Sequence, residues 1–367
     1  MHEIIVVGGN HHNTLGVIRS LGEKGLRPIL IVVTSEKKPF VGYSKYLKQV
    51  IQIPNDSLIT GVLLSRCKSE GEKAVVICCS DASSGEVDGN REKLIPFFHL
   101  PGTDEQGRVS FLMNKKEMLN LAVEVGMKIP QTICGTEITD KPNIPLPCII
   151  KPLVSMKGLK TDIHICRSWD DVIRYSREIG VDNIQIQRFV AKDFEYQLIG
   201  CATERDIVIP GVSKILRPCK GSNTSYLHYV PMTDDFCEIE KSVEFVKKTG
   251  YKGLFSLEFI RDKEGKDNFL EMNFRNDGNA ICVTEGGVNL PYIWYCACTG
   301  QDYLEEMNKS IKPSYVMPDL AELKLLFTRQ ISIADYFKDL RKTDRFMEYD
   351  KKDPKPFWRM VKSKMHL

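Results

Sequence analysis

The chain has 367 residues, enough for two or three domains with sizeable cores. Its 51 Lys+Arg against 48 Asp+Glu leave a net charge of +3, which argues against nucleic acid or an anionic membrane as partner. Apolar runs fall short of the roughly 18 residues a membrane helix needs, and no basic leader precedes the first strand, so a soluble, cytoplasmic protein is expected. The 12 cysteines are scattered through apolar runs without paired CxxC units, which reads as small buried hydrophobes in a reducing compartment.

Residues 3–7 form a short apolar strand that ends in Gly8-Gly9 and feeds a helix opening near Asn10-His11-His12. Residues 28–33, 47–53, 74–79 and 97–100 supply further strands, and residues 57–69 a helix with Asn55 and Asp56 as cap candidates. Repeated βα units predict a doubly wound parallel domain over residues 1–108. Gly8-Gly9 reads as a tight strand-to-helix turn, because a full GxGxxG and a following acidic residue are both missing. His11, His12 and Asp81 sit where such sheets bind ligands and are secondary candidates for substrate contacts.

Residues 102–107 are polar and mark a domain boundary. Asn114-Lys115-Lys116-Glu117 then opens an amphipathic helix closed by Gly126. A cation at a helix N-terminus opposes the dipole unless an anion joins it. The apolar strand 147–152 carries Lys151, a residue type depleted from strands. Residues 161–166 alternate as a strand, and Ser168 with Asp171 resembles a capping box for a helix ending at Gly180. Strands over 184–190 and 206–212 precede an amphipathic helix, 238–248, stopped by Gly250. An apolar helix spans 290–298, and the tail ends in a basic amphipathic helix read as a solvated packing element.

Residues 254–275 hold two alternating runs joined by a polar, Gly-containing connection, the pattern of a β-hairpin. Alternation gives Phe255, Leu257 and Phe259 one face of the first strand, and Leu270, Met272 and Phe274 one face of the second. The other face carries Glu258, Glu271, Asn273 and Arg275. A loop that brings Ile260 near Phe269 sets Glu258 nearly opposite Glu271, where like charges repel unless a cation lies between them. Carboxylate and carboxamide oxygens suit Mg²⁺, and Arg275 is spaced to hold a phosphate oxygen.

The run Gly253-Leu-Phe-Ser-Leu-Glu258, followed by Leu270-Glu271-Met-Asn273-Phe-Arg275, resembles the metal signature of the ATP-grasp superfamily. Gly286-Gly-Val-Asn-Leu-Pro-Tyr292 resembles its carbamoyl-phosphate-synthetase-like branch. The resemblance covers residues 110–300 with motifs in order, and implies an α/β protein. Its parts would be a pre-ATP-grasp domain (1–108), ATP-grasp lobe A (109–190), lobe B with the metal hairpin (191–302) and a C-terminal extension (303–367). It implies Lys115 and Lys151 on the nucleotide phosphates, and a loop of Ser155, Lys157 and Gly158 over the triphosphate. It also implies Phe189 and Val190 as the adenine-reading hinge, with Gln187 beside it, and Asp193 on the ribose. Glu258, Glu271 and Asn273 become ligands of two Mg²⁺ or Mn²⁺ ions on ATP, and Arg275 and Lys151 the catalytic cations.

Three positions depart from the family pattern: Phe274 replaces a Pro, Gln187 a Glu, and the phosphate loop has a single glycine. Lys214, Arg217 and Lys220 remain alternatives for a further phosphate cation. The implied chemistry is an ATP-dependent carboxylate–amine ligase that passes through an acyl phosphate, with small-molecule acid and amine as partners. Neither nucleic acid nor membrane is implied, and a homodimer is compatible. The alternatives are a bicarbonate-activating enzyme of the same superfamily, disfavoured by the lack of a glutaminase or biotin carrier domain, and a nucleotide-binding regulatory protein without turnover.

Overall fold

The computed structural model describes residues 2–67, 72–135, 143–153, 163–180, 183–218, 225–233, 236 and 238–365. Ser155, Lys157, Gly158 and Lys220 lie outside the described residues, as do 161 and 162 of the expected strand 161–166.

Among the described residues the first sheet is parallel. Its strands are β1 (Ile4–Gly9), β2 (Ile29–Val33), β3 (Gln49–Ile53), β4 (Ala74–Cys78) and β5 (Phe98–His99), in the order β3-β2-β1-β4-β5. The near-continuous apolar runs of β1 and β4 follow from burial on both faces. Ile4 and Val6 pack toward the helix His12–Glu23, while Ile5 and Val7 join the cluster on the other face. Strand order reverses between β1 and β4, so the crevice where doubly wound sheets bind ligands lies at Gly9 and Cys79. Gly8 is required by packing: a Cβ there would lie 2.4 Å from Thr14 Oγ1 and 2.7 Å from Cys79 Cβ. The helix expected over 57–69 is a 3₁₀ turn, Asp56–Leu58, leading into Ile59–Ser65, and Asn55 makes no side-chain cap bond.

The second sheet is antiparallel: β6 (Thr132–Cys134), β7 (Cys148–Pro152), β8 (His164–Cys166) and β9 (Ile184–Arg188), in the order β6-β9-β7-β8. One face buries Cys148, Ile150, Cys166, Ile184 and Ile186 with Val172 of the helix Trp169–Ile179. Ser168 and Asp171 start that helix with the reciprocal bonds of a capping box. Period-2 alternation sends Ile149, Lys151, Gln185 and Gln187 to the opposite face.

Among the described residues the third sheet has eight strands: β10 (Lys192–Ala202), β11 (Ile207–Val208), β12 (Gly211–Pro218), β13 (Ser225–Pro231), β14 (Gly253–Asp262), β15 (Asp267–Asn273), β16 (Ser314–Met317) and β17 (Arg345–Phe346). Their order is β15-β14-β10-β12-β13-β16-β17, with β11 on β10. The strand expected over 206–212 is divided between β11 and the start of β12. The helices Lys115–Glu124 and Ile239–Thr249 cover one face, where Tyr196, Leu257, Phe259, Phe269 and Met272 form the core.

The tail is woven into both flanking units. Its strands β16 and β17 extend the third sheet, while Met347 and Met360 join the core beside the helix His12–Glu23. On that helix, buried Arg19 bonds buried Asp353 through Nε at 3.3 Å and through Nη2 to the carbonyl at 3.0 Å. Ser44 Oγ and the Lys45 N–H donate to the same carboxylate at 2.8 and 2.9 Å. No helix among the described residues is long and apolar enough to cross a membrane.

Candidate active site

β14 and β15 pair antiparallel with Ser256 opposite Asn273, Leu257 opposite Met272 and Glu258 opposite Glu271. The register then shifts, and Phe259 meets Phe269 while Ile260 meets Asn268. This β-bulge corrects the expected core set: Leu270 is half-buried, and Phe269 takes the apolar position opposite Phe259. The two glutamates still face each other, because the extra residue falls on the far side of them.

β10 lies on the other flank of β14 and places Gln197 opposite Glu258. Gln197 Nε2 donates to Glu258 Oε1 at 3.2 Å, and Asn279 Nδ2 donates to Gln197 Oε1 at 2.9 Å. Asn273 Nδ2 donates to Glu258 Oε1 at 3.2 Å and to Ser256 Oγ at 3.1 Å, and Ser256 Oγ donates to Asp277 Oδ2 at 2.8 Å. The Glu258 carboxylate thus sits in a hydrogen-bonded frame that limits its rotamers, as orienting partners do around a ligating group. Carboxylate and carboxamide oxygens at adjacent sheet positions are a donor set that fits a hard divalent cation.

Lys151, next to last in β7, lies within the electrostatic reach of this row. Burial pushes its ammonium below the ordinary lysine value, Glu271 and Glu258 oppose that shift, and Lys115 adds to it. The structure therefore brings together the two lysines singled out in the sequence. Asn114 caps the helix Lys115–Glu124, and the Lys115 N–H donates to Leu153 O at 3.5 Å, which ties the helix start to the end of β7.

Arg275 lies just past β15 and is only 15% exposed. Its Nε donates to Asp81 Oδ1 at 3.0 Å, its Nη2 to Asn273 Oδ1 at 2.9 Å, and its Nη1 to Asn276 O at 3.2 Å and Asp277 Oδ2 at 3.4 Å. Burial works against the charge, yet Asp81, Asp277, Glu258 and Glu271 together hold the guanidinium above its ordinary range. Asp81, at the C-terminal edge of the parallel sheet, is thus a partner of the residue that follows β15. The same junction is stitched by Ser84 Oγ to Phe274 O at 2.9 Å, by the Asn276 N–H to Cys78 O at 3.1 Å, and by Asn13 Nδ2 to Asn276 O at 2.9 Å.

His11 caps the first helix by accepting from the Asn13 N–H at 3.3 Å. Its ring touches solvent at the rim of the crevice, but the surrounding protein and then Arg275 push it down to about 4, so it is neutral at pH 7. His12 is buried, and burial followed by His11 keeps it neutral as well.

The segment after β9 turns toward β10 with the Phe189 N–H donating to Pro147 O at 3.2 Å, so that donor is taken; Val190 follows it. Gln187 Nε2 donates to Thr132 Oγ1 at 3.1 Å. Asp193 is exposed at the irregular start of β10, where the register against β14 shifts between Lys192 and Phe194. Lys214 lies on the Tyr196 side of the sheet, over the rings of Phe194 and Phe236 at 5.3 and 5.2 Å, and faces away from Gln197. Arg217 is held by Glu322 at 2.6 Å and Asp339 at 3.0 Å. Neither cation joins the carboxylate row.

The sequence reading missed Gln197, Ser256, Asp277 and Asn279, which form the polar network around Glu258. A usable signal was Gln197 itself, a lone polar residue heading the apolar run Gln197-Leu-Ile-Gly-Cys201.

No family model matches the sequence, and no curated protein is similar to it. Solved structures are similar. An L-amino acid ligase from Bacillus licheniformis aligns at 12% identity and TM-score 0.65, covering 86% of this chain and 79% of that one. A biotin carboxylase from Campylobacter jejuni, solved with a β,γ-ATP compound, aligns at 14% identity and TM-score 0.68, covering 86% and 74%. An N5-carboxyaminoimidazole synthase from Aspergillus clavatus, in complex with ADP and an aminoimidazole ribonucleotide, aligns at 10% identity and TM-score 0.65, covering 86% and 81%. The fold of this chain is that of the ATP-grasp ligases.

Proposed function

We propose that this protein is an ATP-dependent carboxylate–amine ligase: a carboxylate attacks the γ-phosphate of ATP, and the resulting acyl phosphate is captured by an amine, releasing ADP and phosphate. The observation that carries this reading is the in-register pair Glu258–Glu271, framed by Gln197 and Asn273 and flanked by Lys151 and Arg275. Glu258, Glu271 and Asn273 would hold Mg²⁺ or Mn²⁺, whose contribution is to neutralise the polyphosphate and polarise the phosphoryl oxygens. Lys115 and Lys151 bind phosphate oxygens, and Arg275 meets the transferred group as its charge spreads in the transition state. Phe189 and Val190 with Gln187 take the base, Asp193 the ribose, and Ser155, Lys157 and Gly158 the triphosphate.

The four-part division at residues 108, 190 and 302 belongs to the same reading, and gives the acid and amine a place at the crevice between β1 and β4. The similar structures support it through the ligands their own names carry, ADP and a β,γ-ATP compound.

The test is ADP release over a panel of carboxylates and amines, bicarbonate included, beside calorimetry of ATP with and without chelator. ADP release that depends jointly on one acid and one amine is expected, as is far weaker ATP binding in chelator. ATP binding of equal strength without metal would remove the carboxylate pair from the site.

A further inference from the structure

The net charge of +3 hides an uneven distribution. Residues 351–364 hold six cations, Lys351, Lys352, Lys355, Arg359, Lys362 and Lys364, against the single carboxylate of Asp353, a local charge of +5 that exceeds the charge of the whole chain. Asp353 does not offset them at the surface, because it is 1% exposed and bound to Arg19, Ser44 and the Lys45 N–H. Asp350, the next acid back along the chain, is buried on Arg345. Among the described residues Lys351, Lys352, Lys355 and Lys362 are exposed and carry no ion pair.

The helix Lys355–Met365 sets the direction of this surface. Pro356 is buried, and Phe357 and Met360 pack against the core beside the helix His12–Glu23. Lys355, Trp358 and Lys362, at i, i+3 and i+7, share the outward face. Trp358 is 55% exposed, although the inward face already supplies the apolar contacts that hold the helix, so packing does not account for a tryptophan there. Tyr43, across from this helix, is 41% exposed and carries the Arg359 guanidinium 5.5 Å from its ring centroid. Lys45 is exposed where its N–H meets Asp353, and adds a further cation at the junction.

We propose that this face docks the protein reversibly on anionic lipid headgroups. Clusters of about four to eight Lys or Arg on an amphipathic helix are drawn to an anionic leaflet, and Trp and Tyr rings settle at headgroup depth with their polar edge in water. The cations are nearly all lysines, whose flexible stems suit a fluid layer of headgroups, whereas recognition of one fixed anion favours the arginine fork. The one arginine among the six lies against Tyr43. With its apolar side committed to the core, the helix rests on the headgroups without inserting, which makes the attachment electrostatic and sensitive to salt. The inference stands apart from the ligase reading.

The experiment is co-sedimentation of the full chain with phosphatidylcholine vesicles, with and without about three parts in ten of phosphatidylglycerol, in about 0.1 M salt. Wild type should sediment with the anionic vesicles alone, and its tryptophan emission should shift to the blue. Lys355→Gln with Lys362→Gln should weaken that binding about twenty-five-fold, since each lysine near such a surface contributes about fivefold. Trp358→Phe should lose the blue shift. These side chains are exposed, so both variants should keep the parental melting temperature. Lys247→Gln with Lys248→Gln, on the helix Ile239–Thr249, should leave binding unchanged. Wild type that ignores anionic vesicles overturns the proposal, as does equal weakening by the two lysine pairs. Tighter binding to single-stranded DNA or to polyglutamate than to the vesicles also overturns it, in favour of another polyanion.

Discussion

Asp81 and Arg275 are 194 positions apart in the chain, yet Asp81 Oδ1 accepts from Arg275 Nε at 3.0 Å. The pair joins the edge of the parallel sheet to the end of β15, so the proposed catalytic cation is aimed by a residue of the parallel-sheet region. Asp81 is 54% exposed, whereas Asp277 holds the guanidinium from the buried side.

On the proposed chemistry Arg275 acts chiefly in the transition state. Arg275→Met should slow ADP formation on the order of a hundredfold while changing the MgATP dissociation constant only a few-fold, because one such donor is typically worth about 3 kcal/mol. Steady-state kinetics and calorimetry on the same preparation check this. A variant that turns over at the parental rate takes Arg275 out of catalysis.

Lys151→Ala should weaken nucleotide binding at least tenfold, since a buried ammonium within electrostatic reach of Glu271 and Glu258 is lost, while Lys116→Ala should be nearly silent. A fluorescent-nucleotide titration separates the two. Equal effects would show that the lysines have been assigned wrongly.

The Arg19–Asp353 pair is buried on both sides, so removing one partner leaves a charge without its counter-ion. Arg19→Met should cost about 3–5 kcal/mol in urea unfolding. Lys192→Met, which breaks the exposed pair with Glu195, should cost less than about 1 kcal/mol. Similar midpoints for the two variants would mean that the tail is not fixed through Arg19.

Glu348 packs against Asp319, each accepting from the other's backbone N–H at 2.8 Å. Burial first, then the hydrogen bond and charge of Asp319, raise the Glu348 carboxyl well above its ordinary value of 4.5. A raised folded-state value contributes stability below the unfolded value and loses it as pH climbs toward the folded one. Glu348→Gln should therefore gain on wild type as pH rises above about 4.5. Urea midpoints from pH 4 to pH 8 would reveal a constant difference if the carboxyl titrates normally.

The hairpin, the strand ending at Lys151 and the Ser168 cap were legible because each is a local pattern: alternation of period 2, or two polar residues three apart. The bulge beyond Glu258 was not, since it depends on how β14 and β15 settle against a shared core. Arg217 looked like an available cation because Glu322, which neutralises it, lies 105 residues further on. Strands β16 and β17 were invisible for a similar reason, being short and stabilised by partners far away in the chain.

The seating of Asp353 on Arg19 also orders events in time. The helix that carries Arg19 is synthesised first, and Met347, Asp353 and Met360, which cover it, leave the ribosome more than three hundred residues later. During synthesis that helix presents an apolar face and an unmatched guanidinium, so the parallel sheet unit cannot reach its final packing by itself. Closing a loop of this length costs chain entropy before its contacts form, so a slow late step is expected in refolding. Until then, a chaperone that shields the first helix has something definite to hold.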